Sequence, residues 1–419
     1  MHEYSLSALS PQNWPFSLEC LPKGAYLVGG AVRDALLGRC SEYLDLDFVL
    51  PADAVKIARQ IADRYQAGFV LLDAERQIAR VVFEQATADF AQQEGFTLAI
   101  DLQRRDFTVN AIAYNPHTGE LLDPLKGYAD LQQGLLCMIS LANLQDDPLR
   151  LLRAYRQAAQ LSFTIEPDTQ AAIRQLAPQL ARVAAERVQV ELSYLLNSSQ
   201  GSLWLKTAWE DGLIGAWFPN ATRASCDRLI RVDSAVTVLA ETWPQLGIEL
   251  AQSVRDRIKT PLSAIAKLAC LVAPNSKLAE EELQRLKYSR TEIRAVTTTL
   301  KSLMHLQTTY LIDQMSLQQQ YFLFRKAEAV FPALAVLAIA TGTTLQAIAP
   351  LIDHYLTPND PIAHPTPLLT GTELMQALQL KPGPQIGQLL TEIALAQIGG
   401  NISTPDEALK LASWLVNQQ

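Results

Sequence analysis

The chain has 419 residues, 49% of them hydrophobic and 19% charged, enough for about two or three domains with substantial cores. Its 43 acidic against 35 basic residues give a formal charge of −8; this argues against a protein that coats nucleic acid nonspecifically, because neutralising phosphates takes a surplus of Lys and Arg. No run of ~18 apolar residues reads as a membrane span, and the opening "MHEYSLSALSPQNWPF" lacks the basic and apolar regions of a secretory signal. A cytoplasmic protein without a membrane partner is expected, and the scattered Cys20, Cys40, Cys137, Cys226 and Cys270 imply neither a disulfide framework nor a structural zinc.

Residues 24–125 mix β-rich runs ("AYLVGG", "LDLDFVL", "GFVLLD", "ARVVFEQA", "FTLAIDL", "AIAYN") with helical stretches ("VRDALLG", "ADAVKIARQIADRYQ"), the composition of a small α/β unit around a sheet. Where "AYLVGG" runs into "VRDALLG", Gly29 and Gly30 let the backbone come close to an anion at a helix N-terminus. The spacing is neither G-x-G-x-x-G nor a Walker A loop, and by itself it also suits an ordinary strand-to-helix turn. The next strand changes the balance. Alternation along "LDLDFVL" puts Asp45 and Asp47 on one face. Such a pair is often just a solvated face, but inside an apolar run uncompensated carboxylates are costly. A divalent cation resolves the conflict, and Mg²⁺ uses one or two carboxylates together with substrate phosphates. Glycines that cradle phosphates beside cation-binding carboxylates are the working parts of a nucleotidyl transfer site. Further on, "DLQRRDFTVNAIAYN" places Arg104, Arg105 and Asp106 in a row. They fit either an exposed loop or an arginine on phosphates and a carboxylate on ribose hydroxyls.

From about residue 128 the apolar spacing becomes helical, as in "DPLRLLRAYRQAAQL", "PDTQAAIRQLAPQLARV" and "AERVQVELSYLLN". Asp147, Arg150, Arg153 and Arg156 recur every third residue along one ridge. A surface ridge with a capping aspartate is one reading. Base recognition is the other: cytosine and adenine set an amino donor beside a ring-nitrogen acceptor, aspartate only accepts and arginine only donates, so Asp147 with Arg150 complements C or A and mismatches G or U. The helical pattern continues to residue 419, broken by Pro and Gly, with a Pro-rich stretch in 341–369 ahead of the last module and no fixed-period repeat.

Taken together, "LVGGAVRD" with "LDLDFV", "RRDFTVNAIAYN", "LLDPLKGYADL", "DDPLRLLRAYR" and "AAERVQVELSYLL" resemble the class II tRNA nucleotidyltransferases, the CCA-adding family related to bacterial poly(A) polymerases, and "LLTGTELMQALQLKPGPQIGQLL" is similar to the tail of longer members. The resemblance runs from about residue 24 to the C-terminus. It implies an α+β fold: an α/β nucleotidyltransferase head with a mixed sheet (1–139), then an elongated all-helical neck (140–200), body (201–340) and tail (341–419), the last binding tRNA. By position, Asp45 and Asp47 are implied as catalytic ligands of Mg²⁺, and Gly29, Gly30, Arg33, Arg104, Arg105 and Asp106 as contacts to the triphosphate and ribose. Asp147 and Arg150 are implied to select the base, Arg153 and Arg156 to support phosphates or the selector helix, and Glu186 and Arg187 to steady that helix.

The chain departs from the family pattern in three places. Asp146-Asp147 replaces the usual Glu-Asp, Lys126 stands where glycine is common, and the connection around Gln92–Gly95 is cut to a few residues where CCA-completing members carry a longer flexible loop between strands. The missing loop implies the CC-adding subtype, which takes CTP, adds two cytidines to the tRNA acceptor arm and needs no stable protein partner. A full CCA-adding enzyme, using ATP as well, is the alternative; a poly(A) polymerase fits less well, for want of extra basic sequence.

Overall fold

The computed structural model describes residues 8–254, 260–308 and 312–418; the first seven residues of the stretch read above for a signal lie outside them. The chain divides into two compact units, Met1–Ala184 with Glu210–Ala216, and Ala185–Trp209 with Trp217–Gln419.

The first unit is built on a seven-stranded mixed sheet. Its strands are β1 (Tyr26–Val28), β2 (Leu44–Leu50), β3 (Gly68–Asp73), β4 (Ile78–Val82), β5 (Ala86–Gln92), β6 (Ala113–Tyr114) and β7 (Leu121–Leu122), in the order β3-β4-β5-β2-β1-β6-β7. β2 and β5 run parallel, while β1 pairs antiparallel with both β2 and β6. Strict alternation along β2 sorts its residues. Leu44, Leu46, Phe48 and Leu50 enter a core with Trp14, Phe16 and Phe90, where Phe48 stacks on Phe90 at 5.4 Å between centroids. Asp45, Asp47 and Val49 face the other way, and Val49 joins Val28, Leu98, Leu102, Ala111 and Ala113 in a smaller cluster. The polar site and this second cluster therefore share one face of the sheet.

Helices α1 (Gly30–Leu36), α2 (Ala54–Tyr65), α3 (Leu98–Gln103), α4 (Gly127–Gln133), α5 (Leu141–Asp146), α6 (Leu149–Leu161) and α7 (Pro167–Leu176) belong to the unit, with a parallel pair of short strands, β8 (Leu135–Leu136) and β9 (Thr164–Ile165), the second of which interrupts the neck segment expected to be all-helical. Two sequence expectations need correction here. "FTLAIDL", expected as a strand, is α3. The Thr97 hydroxyl accepts from the Ile100 N–H at 3.3 Å, and Leu98 and Leu102, four apart, are both buried while Phe96 is 99% exposed, a helical spacing rather than alternation. "ARVVFEQA", expected as one run, bridges a turn: β4 ends at Val82, and β5 begins at Ala86 and continues through Ala88 and Phe90, which alternate inward.

Among the described residues beyond α7 the chain is helices joined by turns and, at 357–370, by a longer irregular stretch. The second unit contains α8 (Ala185–Asn197), most of α9 (Gly201–Glu210), α10 (Arg223–Thr242), α11 (Pro244–Ala251), α12 (Leu262–Leu271), α13 (Ser276–Arg285), α14 (Arg290–Thr308), α15 (Leu317–Ala327), α16 (Phe331–Ala340), α17 (Leu345–Leu356), α18 (Gly371–Leu378), α19 (Pro384–Ile398) and α20 (Pro405–Asn417). α16 is apolar and buried almost all round, as suits a helix enclosed by others, and α10, α12 and α14 pack on it. The last three helices close over their own core of Leu374, Leu389, Ile393, Ala408 and Ala412. Among the described residues no helix is long and apolar enough to cross a membrane.

Candidate active site

The register of β1 on β2 pairs Val28 with Asp47, which brings the following Gly29 and Gly30 alongside Asp45 and Asp47. Gly29 has φ +75 and ψ −142, a conformation open to glycine and strained for other residues. A Cβ there would also lie 3.1 Å from Asp47 Oδ2. From Gly30 the chain enters α1, which carries Arg33. That guanidinium donates to both oxygens of Asp34 at 2.9 Å and to Asn110 Oδ1 at 2.7 Å.

On β2, Asp45 is exposed and accepts from the Thr87 hydroxyl at 2.5 Å, while Asp47 is half-buried. The parallel register sets Asp47 beside Asp89, and Asp89 forms a two-point ion pair with Arg80 on β4 at 2.6 and 2.7 Å. Burial, with the charges of Asp45 and Asp89, raises the Asp47 pKa to about 7 against the pull of Arg105 and Arg80. A carboxyl held in this way has a standing electrostatic demand for positive charge.

The segment after α3 supplies Arg105 and Asp106. Arg105 contacts Asp101 at 3.5 Å, and its Nε is buried without a hydrogen-bond partner. Asp106 is buried. Burial acts to raise its pKa, but the Arg153 guanidinium, the Asn110 amide and the Phe107 N–H outweigh this and hold it below the usual carboxylate value. Arg153 pairs with Asp106 at 2.9 Å through both Nε and Nη2, and Gln157, one turn on, accepts from Asn110 Nδ2 at 2.9 Å and donates to Asp106 Oδ2 at 3.5 Å. Asp106 thus joins the loop after α3 to α6.

Arg150, Arg153 and Arg156 are half-exposed on α6, while Leu149, Leu151, Leu152, Ala154 and Tyr155 are buried, so the ridge holds for the three arginines; Asp147, also half-exposed, precedes the helix and is not part of it. Asp146 closes α5, Asp147 is extended backbone between the helices, and its Oδ1 accepts from the Leu149 N–H at 3.3 Å. Arg150 Nη1 donates to the Asn143 carbonyl at 3.0 Å. Burial lowers the Arg150 pKa, with Asp106 and Asp147 opposing it. On the opposite side of α6, the Tyr155 hydroxyl donates to Asp211 at 2.6 Å, and Asp211 also accepts from Gln170 and Arg174.

One cavity of about 430 Å³ collects Gly29, Gly30, Arg33, Asp45, Asp47, Arg105, Asp106, Arg153 and Arg156. It falls in the size range of small-molecule sites. Arg150, on the same helix, and Asp147, just before it, lie beyond its lining, and Arg104 is directed elsewhere, to Glu94 and Asp101. Glu186 and Arg187 are exposed in the first turn of α8, in the second unit. Sequence reasoning missed Asn110 and Gln157, which also line the cavity, and the Asp89–Arg80 pair. "ATADFAQ" did carry a trace of the latter, as alternating small and apolar residues with one aspartate facing outward.

Residues 25–137 match the family model described as poly A polymerase head domain, 162–225 one for an RNA- and SrmB-binding site of polymerase A, and 257–412 one for tRNA nucleotidyltransferase domain 2. The chain is 50% identical, over 96% of each chain, to a CC-adding tRNA nucleotidyltransferase of Synechocystis. It is also 32% identical to an A-adding tRNA nucleotidyltransferase of Deinococcus radiodurans, over 92% of this chain and 94% of that one. Among solved structures, a CCA-adding enzyme with CTP shares the fold with a TM-score of 0.71 at 23% identity, covering 92% of this chain and 90% of its own. On this sequence similarity, carried across nearly its whole length, the chain belongs to the tRNA nucleotidyltransferase family.

Proposed function

We propose that the chain adds two cytidines from CTP to the 3′ end of tRNA and stops there. The observation that carries the nucleotidyl transfer reading is the convergence of Gly29, Gly30, Asp45, Asp47 and Arg105 on one cavity. The N–H groups after the Gly-Gly turn and the guanidinium of Arg105, with its unpaired buried Nε, receive the triphosphate. Asp147 and Arg150 meet the pairing edge of the base, accepting from the cytosine amino group and donating to its ring nitrogen and carbonyl. Arg153 keeps Asp106 ionised and in place for the ribose.

The donor set fits a divalent cation. Among the described residues no group of three or more His, Cys, Asp or Glu could hold a metal ion by itself. Two carboxylates on one strand face, one of them crowded by the negative charges of its neighbours, suit an ion that takes its other ligands from phosphates and water. Asp45 and Asp47 would hold Mg²⁺, which when bound supplies stabilisation of charge on the transferring phosphoryl group and the departing pyrophosphate. The residues themselves orient the α-phosphate toward the tRNA 3′-hydroxyl and hold the base against the selector.

The connection from β5 to α3 supports arrest after two cytidines. It runs only from Gln93 to Thr97. The Gln93 N–H donates to Leu50 O at 2.7 Å, the Glu94 N–H donates to Asp101 Oδ1 at 3.0 Å, and Glu94 pairs with Arg104. A switch from C to A needs an element with two arrangements, and this segment is fastened in one. The test is to incubate purified protein with tRNA lacking its 3′ CCA, together with CTP, ATP or both, and sequence the product ends. Two added cytidines in every CTP-containing reaction are expected. Efficient terminal adenosine addition overturns the CC-specific reading, and no incorporation at all overturns the transferase reading.

A further inference from the structure

We propose that Asn143 is a positioning residue that ties the base-selecting Arg150 to the segment bearing Arg105, and through Arg150 sets how strictly cytosine is chosen. This rests on the assignment of base selection to Asp147 and Arg150 above.

Asn143 lies in the short helix α5, capped by the Ser140 hydroxyl, and is only 9% exposed. Its Nδ2 donates at 2.7 Å to two main-chain carbonyls, those of Gln103 and Arg105. Its own main-chain carbonyl accepts from Arg150 Nη1 at 3.0 Å and from the Asp147 N–H at 3.4 Å. One residue therefore holds the phosphate-side segment with its side chain and both selector residues with its backbone. The choice of residue follows from hydrogen-bond chemistry. An amide nitrogen offers two donors without charge; a lysine would bring a cation among Arg105 and Arg150, and a carboxylate would face two carbonyls with no donor. The restraint on Arg150 is also specific. A guanidinium on a long side chain has many rotamers, and one N–H fixed on a carbonyl that is itself fixed leaves its remaining donors aimed in a constant direction. Reading a base edge depends on such constancy, because discrimination comes from donors that cannot turn to suit the wrong base.

The experiment compares kcat/KM for CTP and for UTP, on tRNA lacking its 3′ CCA, in wild type, Asn143→Ala, Arg150→Ala and the double variant. Asn143→Ala is expected to narrow the preference for CTP by about tenfold, the scale of one or two well-placed hydrogen bonds. In the Arg150→Ala background the same change is expected to narrow it no further, because Asn143 acts through Arg150. An unchanged preference in Asn143→Ala with only a lower melting temperature, or losses that multiply in the double variant, overturn the proposal. Full discrimination in Arg150→Ala alone overturns the base-selection reading itself, an outcome read without touching Asn143. If Asn143→Ala does not fold, Asn143→Ser, which keeps one donor, takes its place. An intermediate preference supports the proposal, and wild-type preference overturns it.

Discussion

Asp47 is placed where folding alone would not want a carboxylate. Its neighbours on the sheet are Asp45 and Asp89, and its pKa is raised from 3.8 to about 7. An acid whose folded-state pKa is raised costs stability above that value and nothing below its unfolded value. Asp47→Asn is therefore expected to abolish cytidine incorporation while raising stability in metal-free buffer at pH 8 by at least about 1 kcal/mol, discounted for solvent around the exposed Asp45. The gain should fade between pH 7 and 3.8, the interval set by that shift. Urea melts at several pH values check it. At Gly29 the reverse trade applies. Gly29→Ala forces a Cβ against Asp47 Oδ2 in a left-handed conformation, and is expected to cost roughly 1–3 kcal/mol and at least about a hundredfold in turnover. Lys126 has φ +58, a left-handed backbone that suits glycine better than lysine. Next to it, a Cβ on Gly127 would lie 2.1 Å from the Thr108 carbonyl oxygen, so the glycine there cannot change. Lys126→Gly should relieve strain and stabilise by about 0.5–1 kcal/mol, measured the same way. Residues whose chemistry shows in a local pattern were legible in the sequence: two glycines at a strand end, two aspartates at period two, arginines at period three. Asn110, Asn143 and Gln157 were not. Neutral amides suit many surroundings, and their partners here lie as far as 124 positions away.

At the scale of elements, the sheet and the helical remainder follow from hydrophobic period. The misread segments are the short ones, where one helical turn and one strand carry similar apolar content. In "FTLAIDL" the helix is decided by Thr97 as cap and by the packing of Leu98 and Leu102 on Val28 and Val49, neither of which is visible from composition. That correction places the short connection of Gln93–Thr97 between a strand and a helix, not between two strands. A graft of a longer flexible loop from a CCA-adding relative between Gln92 and Leu98 is expected to let the protein add some terminal adenosine, scored by sequencing product ends. A graft that folds and still stops at CC would move the cause of arrest to another element. Helix α6 is held from behind as well as in front. Tyr155→Phe removes one buried hydrogen bond and should cost about 1 kcal/mol. Asp211→Ala leaves the buried Tyr155 hydroxyl and Gln170 without their acceptor and should cost roughly 1–3 kcal/mol more, by chemical denaturation.

Over the whole chain, the division into compact units does not follow sequence order. The first unit takes in Glu210–Ala216 after the chain has already supplied Ala185–Trp209 to the second. The returning segment carries Asp211, the carboxylate on which Tyr155, Gln170 and Arg174 converge. What this constrains is inheritance. A recombinant of two relatives with its crossover between Arg174 and Asp211 would draw these three donors from one parent and their acceptor from the other. Exchange of the stretch up to Ala184 between members of the family therefore succeeds only where both parents kept the same arrangement, or where the exchanged piece extends past Ala216.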